Sequence, residues 1–156
     1  ASEWYTPFSN VSLTLSADQT LIIDAPLVSP IRLVTNDIVE FNPQGQFRIL
    51  GRKDNTINTG GVKVQIEQVE ALLKPLLPFA FQITAAPDSK FGERIVLLIQ
   101  SENPVTEENL HEAFRQLPPY WRPKQIICLP QLPLTGSGKP DRATARKIAS
   151  STQIPG

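Results

Sequence analysis

The sequence predicts an α+β protein: a β-rich stretch over residues 1–51, then a compact α+β lobe over 52–156 built on a small three-stranded sheet with helices. Three observations predict it. Apolar residues alternate with a period of two through most of the first fifty positions. After Gly51-Arg52 the pattern changes to helical and extended segments in turn. Proline and glycine punctuate the changes, at 15 and 8 residues in 156.

Each element follows from its own residues. "VSLTLS" and "TLIIDA" flank "ADQ" and read as a hairpin. "LVTNDIVEF" and "QFRILGR" flank "NPQG", whose Pro43 and Gly45 mark a turn. Pro26 and Pro30 bracket the connection between the two pairs. "NTGGVKV" is a glycine-marked turn leading into a short extended stretch. "QIEQVEALLK" sets Ile66, Val69, Leu72 and Leu73 on one helical face, and Pro75 and Pro78 end that helix. "FAFQITAAP" and "ERIVLLIQ" are strands. "TEENLHEAFRQL" reads as one helix, capped by Thr106, with Leu110, Ala113, Phe114 and Leu117 as its buried stripe and Pro118-Pro119 as its stop. His111 falls on or near its polar side. "KQIICL" is the third strand. Asp141 caps a last helix, whose Arg146 and Lys147 suit a C-terminal end. Trp4, Tyr5, Tyr120 and Trp121 are expected to be packing residues.

Composition excludes several classes. Fifteen basic residues balance fifteen acidic ones, so no net field draws in nucleic acid or an acidic membrane. No apolar run approaches the length of a membrane span, and no basic-then-apolar stretch opens the chain. The one cysteine, Cys128, permits no internal disulfide and fits a reducing, cytoplasmic compartment. It sits in the apolar run "KQIICLP" and is expected to be a buried, inert thiol. The absence of methionine, even at position 1, leads us to expect an excised or processed piece of a longer protein.

One stretch asks for a chemical reading. "QLPLTGSGKPDRATARKIA" sets Lys139 directly after a loop of threonine, serine and glycine. The common phosphate-loop pattern needs glycine five residues before the Gly-Lys pair and Ser or Thr after it; here those positions hold Pro133 and Pro140, so that reading fails. By itself the stretch reads as a surface loop leading into a capped helix. Likewise Asp37 alone reads as a turn residue, Arg52 as a surface charge and Asp54 as an ordinary loop acid.

In order along the chain, "TNDIVEFNPQGQFRILGR", "GRKDNTINTGGVKVQIEQVE" and "LPPYWRPKQIICLPQLPLTGSGKPDR" together resemble the C-terminal region of adenylate-forming enzymes, the superfamily of acyl- and aryl-CoA ligases, luciferases and peptide-synthetase adenylation domains. The resemblance runs from about Val34 to Lys147. It implies that Asp37 binds the nucleotide's ribose, where a carboxylate can accept from both hydroxyls. Arg52 would help hold the nucleotide, and Asp54 would be the hinge about which the C-terminal lobe swings between two half-reactions. Gly60 and Gly61 would face the tunnel of the acceptor thiol, and Lys139 would be the catalytic lysine of the adenylating step. The chain departs from the family at Asn36, where glycine is usual, and at Ile66 and Gln68, where proline and glutamate are usual. The family's Ser/Thr/Gly-rich loop for the β- and γ-phosphates and its "Y-G-x-T-E" segment for adenine and magnesium are absent from these 156 residues.

The resemblance therefore implies the last β-subdomain of a large lobe plus a whole small lobe, with the N-terminal lobe of the same enzyme as its partner and a small carboxylic acid as substrate. ATP, Mg2+ and CoA would serve the complete enzyme; none is expected to bind this chain tightly, which holds no metal site of its own. Within the superfamily, "NTGGVKV", the short C-terminal lobe and the lead-in "WYTPFSNVSLTL" are similar to o-succinylbenzoate–CoA ligases of menaquinone biosynthesis. The alternatives are another adenylate-forming enzyme, or a free-standing small-lobe-like module whose Lys139 contacts a phosphate or a partner protein.

Overall fold

The computed structural model describes residues 3–26 and 32–152. The chain divides into two compact units, Ala1–Thr56 and Ile57–Gly156. The proline-bracketed connection ending at Pro30 lies largely outside the described residues.

The first unit is a four-stranded antiparallel sheet in sequential order, β1 (Ser12–Leu15), β2 (Thr20–Asp24), β3 (Leu33–Phe41) and β4 (Phe47–Arg52). Both hairpins expected from alternation are present. In the β3–β4 turn Asn42 accepts from the backbone N–H groups of Gln44 and Gln46, and Gly45 takes a φ of 77°. Among the described residues, this unit buries few hydrophobic side chains: Leu21, Ile38 and Val39. Phe8, Leu33 and Val34 stand 84, 55 and 64% exposed. Trp4 and Tyr5 are also exposed; the Tyr5 ring lies tilted against Phe47, centroids 5.6 Å apart, and Arg48 lies over the Trp4 ring.

The second unit is a five-stranded sheet with helices on both faces. β5 (Thr56–Thr59) and β6 (Val62–Gln65) form a hairpin; β7 (Phe81–Asp88) and β8 (Gly92–Gln100) pair antiparallel; β9 (Gln125–Leu129) runs parallel to β8. The expected three-stranded sheet is the β7–β8–β9 core. The two extra strands come from "NTGGVKV", which is a full hairpin joined to β8 through Thr59 and Gly92. Four-residue strands carry too little alternation to be distinguished from a turn by periodicity.

Strand β8 explains the layering. Its run of six buried residues alternates faces: Ile95, Leu97 and Ile99 point to one side, Val96 and Leu98 to the other. The first side is covered by α1 (Ile66–Leu73) through Ile66, Val69 and Leu73, and by Leu110, Ala113, Phe114 and Leu117. The second is covered by α3 (Arg142–Ser151) through Ala145 and Ala149, small residues that let the helix sit close to the strands. A strand buried on both faces reads as a continuous apolar run.

Four local expectations are corrected. Leu72 stands 43% exposed, outside the α1 stripe. The "TEENLHEAFRQL" segment is not one helix but a 3-10 turn, Glu108–Leu110, followed by α2 (His111–Arg115). Asn109 accepts from the Thr106 backbone and hydroxyl, a local side-chain arrangement that competes with a regular helical start. Tyr120 is 65% exposed, whereas Trp121 packs against the core as expected. Arg146 does not serve the end of α3; it pairs with Glu93 on β8 at 2.5 Å. Cys128 is half-buried against the core, and its Sγ accepts from the Val105 N–H at 3.3 Å.

Candidate functional site

Lys139 directly follows the tip of a small hairpin between β9 and α3 and faces Thr135 across it. Thr135 N–H donates to the Lys139 carbonyl at 2.7 Å, Lys139 N–H donates to the Thr135 hydroxyl at 3.2 Å, and Leu134 bridges Pro140. Gly138 adopts a φ of 84°, a left-handed conformation that glycine takes without strain. Pro140 disfavours helical backbone at Lys139, so the helix that follows starts beyond it. Below the tip, Asp141 N–H donates to Pro133 O at 3.1 Å and closes the neck. The Asp141 carboxylate accepts from Thr144 N–H at 3.1 Å and from its hydroxyl at 2.8 Å, so it caps α3 as expected. These bonds, the backbone one first, hold its carboxyl below the ordinary aspartate value. The loop is thus a braced arm. Among the described residues none accepts a hydrogen bond from the Lys139 ammonium or pairs with it.

The neck rests on β7. Gln82, 2% exposed, donates from Nε2 to Pro133 O at 2.9 Å. Beside it, Arg142 makes a two-pronged pair with Glu70: Nη1 to Oε2 at 2.7 Å and Nη2 to Oε1 at 2.8 Å. Glu70 Oε2 also accepts Ile83 N–H at 2.9 Å. The hydrogen bonds to Glu70 raise the Arg142 pKa further, against the opposing effect of burial. A groove of about 500 Å³, lined by Glu67, Glu70, Leu77, Phe81 and Pro140 among others, runs beside this pair.

Gly60 and Gly61 form the two-residue turn of the β5–β6 hairpin, with φ of 58° and 83°. Positive φ at both central residues suits the right-handed twist of the flanking strands. Gly60 N–H donates to Phe91 O at 2.9 Å, and a Cβ at Gly60 would meet the Phe91 ring at 3.4 Å. Phe91 is itself held by the β7–β8 turn, where Asp88 accepts from the N–H groups of Phe91 and Lys90; these bonds lower the Asp88 pKa. The Lys124 ammonium sits 3.4 Å from the Phe91 ring centroid.

In the first unit, Asp37 and Arg52 are cross-strand partners of β3 and β4, and the Arg52 guanidinium donates to Asp37 Oδ1 at 2.8 Å. Fifteen residues of sequence separate them; only strand register brings them together. Asp54 lies in a 3-10 turn, Lys53–Asn55, between β4 and β5 and is exposed. Lys53 just before it donates to Asp18 at 2.9 Å, and this bond raises the lysine pKa. Among the described residues, no three His, Cys, Asp or Glu lie close enough to hold a metal ion, and no helix is long and apolar enough to cross a membrane. Sequence reasoning missed the Glu70–Arg142 pair and the Gln82 support. The only signal available was the spacing of Arg142 from Lys139; its partner lies 72 residues away.

The chain is similar in sequence and fold to known proteins. Residues 82–139 match the family model described as the AMP-binding enzyme C-terminal domain. The chain is 33% identical to the nonribosomal peptide synthetase ftmPS of Neosartorya fischeri, over 84% of this chain and 7% of that protein. An acyl-CoA synthetase (AMP-forming)/AMP-acid ligase II-like protein from Dyadobacter fermentans is 29% identical with a TM-score of 0.60, covering 96% of this chain and 45% of the other. The o-succinylbenzoate CoA synthetase of Bacillus subtilis, solved with its acyl-adenylate intermediate, gives a TM-score of 0.76 at 19% identity, covering 97% of this chain and 36% of the other. That last likeness is one of fold. The chain spans 7, 10 and 23% of the length of the first three curated relatives.

Proposed function

We propose, on the premise that residues 82–139 are an AMP-binding enzyme C-terminal domain of the adenylate-forming superfamily, that this chain is the C-terminal part of an ATP-dependent acid–thiol ligase. One observation carries the reading: beside the tip of a braced hairpin, the Lys139 ammonium has no partner among the described residues. In adenylation a carboxylate attacks the α-phosphorus of ATP and pyrophosphate leaves, so negative charge spreads over the phosphoryl oxygens. A compact ammonium on a long stem is suited to reach that charge and withdraw. An amine already engaged by a carboxylate would have to break that pair first. Asp37 and Arg52 take the ribose side in this reading, their pairing orienting the carboxylate. Asp54, outside any sheet, is the pivot. The Gly60-Gly61 turn, with no side chain to obstruct it, faces the incoming thiol. The β- and γ-phosphates, Mg2+ and most of the acid pocket belong to the rest of the ligase, and the exposed Phe8, Leu33 and Val34 suit a surface that the larger lobe covers.

The experiment is a split of the two half-reactions in the complete ligase. Lys139→Ala lowers acyl-adenylate formation by about 10²–10³-fold while thioester formation from supplied adenylate persists. Equal loss in both steps contradicts the role. A free-standing binding module would show neither step in any longer gene product.

For the acid and thiol we propose o-succinylbenzoate and CoA, supported by the TM-score of 0.76 with the Bacillus subtilis synthetase. A second reading is favoured by the 33% identity to a peptide synthetase: an adenylation domain that loads an amino or aryl acid onto a carrier thiol. Pyrophosphate exchange by the complete ligase with o-succinylbenzoate, measured beside a panel of amino and aryl acids, decides between them.

A further inference from the structure

We propose that Arg142, clamped by Glu70, is the positioning residue that aims Lys139. The catalytic consequence rests on the ligase reading above; the structural half stands on this chain alone. Among the described residues the Lys139 side chain has no partner to steer it, so where its ammonium reaches depends on how its backbone is held. The hairpin meets the body of its unit at two adjacent residues of β7. On one stem, Gln82 holds Pro133 O at 2.9 Å. On the other, the Arg142 guanidinium spans Glu70 at 2.7 and 2.8 Å and approaches Ile83 O at 3.4 Å. Glu70 in turn receives Ile83 N–H at 2.9 Å, which locks the carboxylate to the same strand. Both stems are therefore referenced to Gln82-Ile83.

Only Pro140 and Asp141 lie between the clamp and Lys139. Proline fixes one φ, and Asp141 is bound at its N–H by Pro133 and at its carboxylate by Thr144. A shift at Arg142 has little slack in which to dissipate. The pair's side chains are 26 and 21% exposed, so water screens it less than a surface pair. A planar fork sets orientation as well as distance, which a lysine at the same place cannot do. Glu70 also belongs to α1, the helix that directly follows the Gly60-Gly61 hairpin, so one carboxylate ties the lysine arm to the helix next to the glycine hairpin.

Two variants test this: Arg142→Lys, which keeps the charge and loses the fork, and Glu70→Gln, which keeps the shape and loses the charge. In this chain, amide hydrogen exchange is followed at Thr135 and Asp141, whose N–H groups close the hairpin, with Leu97 in β8 as the reference. Loss of protection at Thr135 and Asp141 with Leu97 unchanged is expected. Protection retained in both variants overturns the clamp whatever the enzyme does; if Arg142→Lys does not fold, Glu70→Gln decides. In the complete ligase the same variants are expected to lower kcat of adenylation by about 10²-fold, with KM for ATP little changed and thioester formation from supplied adenylate retained. If Lys139→Ala shows that split and the clamp variants lose both steps together, or neither, Arg142 does not aim Lys139. If the wild-type ligase forms no adenylate, the ligase reading fails, and the exchange measurement still decides the clamp.

Discussion

Lys139 and Asp141 are two residues apart and show how differently charge can be used. The lysine has no partner among the described residues, and the aspartate is employed as a helix cap. Replacing Asp141 by alanine removes the acceptor for Thr144 N–H and is expected to lower the melting temperature by a few degrees, read by circular dichroism. Its pH dependence has a definite sign. The folded carboxyl is held below its ordinary value, so its contribution is present above the unfolded pKa and disappears as pH falls through the folded one. The melting difference between wild type and Asp141→Ala should therefore narrow on acidification below about pH 4. A gap that widens instead would contradict the cap's ionic character. Asp88 bears the same relation to the β7–β8 turn and adds to the same acid limb.

Hairpins and helices convert these residues into geometry. The β5–β6 turn needs positive φ at both Gly60 and Gly61, and only Gly60 has a neighbour that a Cβ would touch. Gly61→Ala is expected to cost about 1–2 kcal/mol from the left-handed conformation alone, measured by denaturant unfolding. Gly60→Ala adds contact with Phe91. Between β4 and β5 the chain passes through the Lys53–Asn55 turn, with Lys53 tied back to Asp18. If Asp54 is the pivot of a longer ligase, as proposed, proline there is expected to restrict it and to slow one half-reaction more than the other. Unaltered rates in both would remove Asp54 as the pivot. In α1, Leu73 is fully buried, and Leu73→Ala should cost about 2–5 kcal/mol by leaving a cavity beneath the β7–β8 sheet.

At the scale of the whole molecule, the two units differ in how much they bury. The second has apolar clusters on both faces of its sheet, whereas the described residues of the first bury only Leu21, Ile38 and Val39 among hydrophobics. Amides of β2 and β3 are expected to lose protection against exchange at lower denaturant than those of β8, in one experiment on this chain. These 156 residues hold neither the Ser/Thr/Gly-rich phosphate loop nor the "Y-G-x-T-E" segment, so the chain by itself is expected to release no pyrophosphate from ATP with any candidate acid; release by the purified chain would contradict the proposal that the phosphate machinery belongs to the rest of a longer ligase.

What was legible in the sequence was what short-range chemistry decides. Alternation located β1–β4, an apolar run marked β8 as a strand, prolines ended α1, and an aspartate before α3 announced its cap. The resemblance named Asp37, Arg52, Asp54, Gly60, Gly61 and Lys139 as candidates without stating how any of them is held. The splitting of α2 escaped because Thr106 and Asn109 compete locally with the helix, and Tyr120 was misplaced because aromatic character says nothing about which side of a loop faces water. The pairing of Asp37 with Arg52, the seating of the Pro133 stem of the Lys139 hairpin on Gln82, and the clasp between Glu70 and Arg142 were decided only by tertiary structure. Each joins residues 15 to 72 positions apart, and hydrogen bonds over such separations depend on strand register and helix placement, which no local pattern encodes.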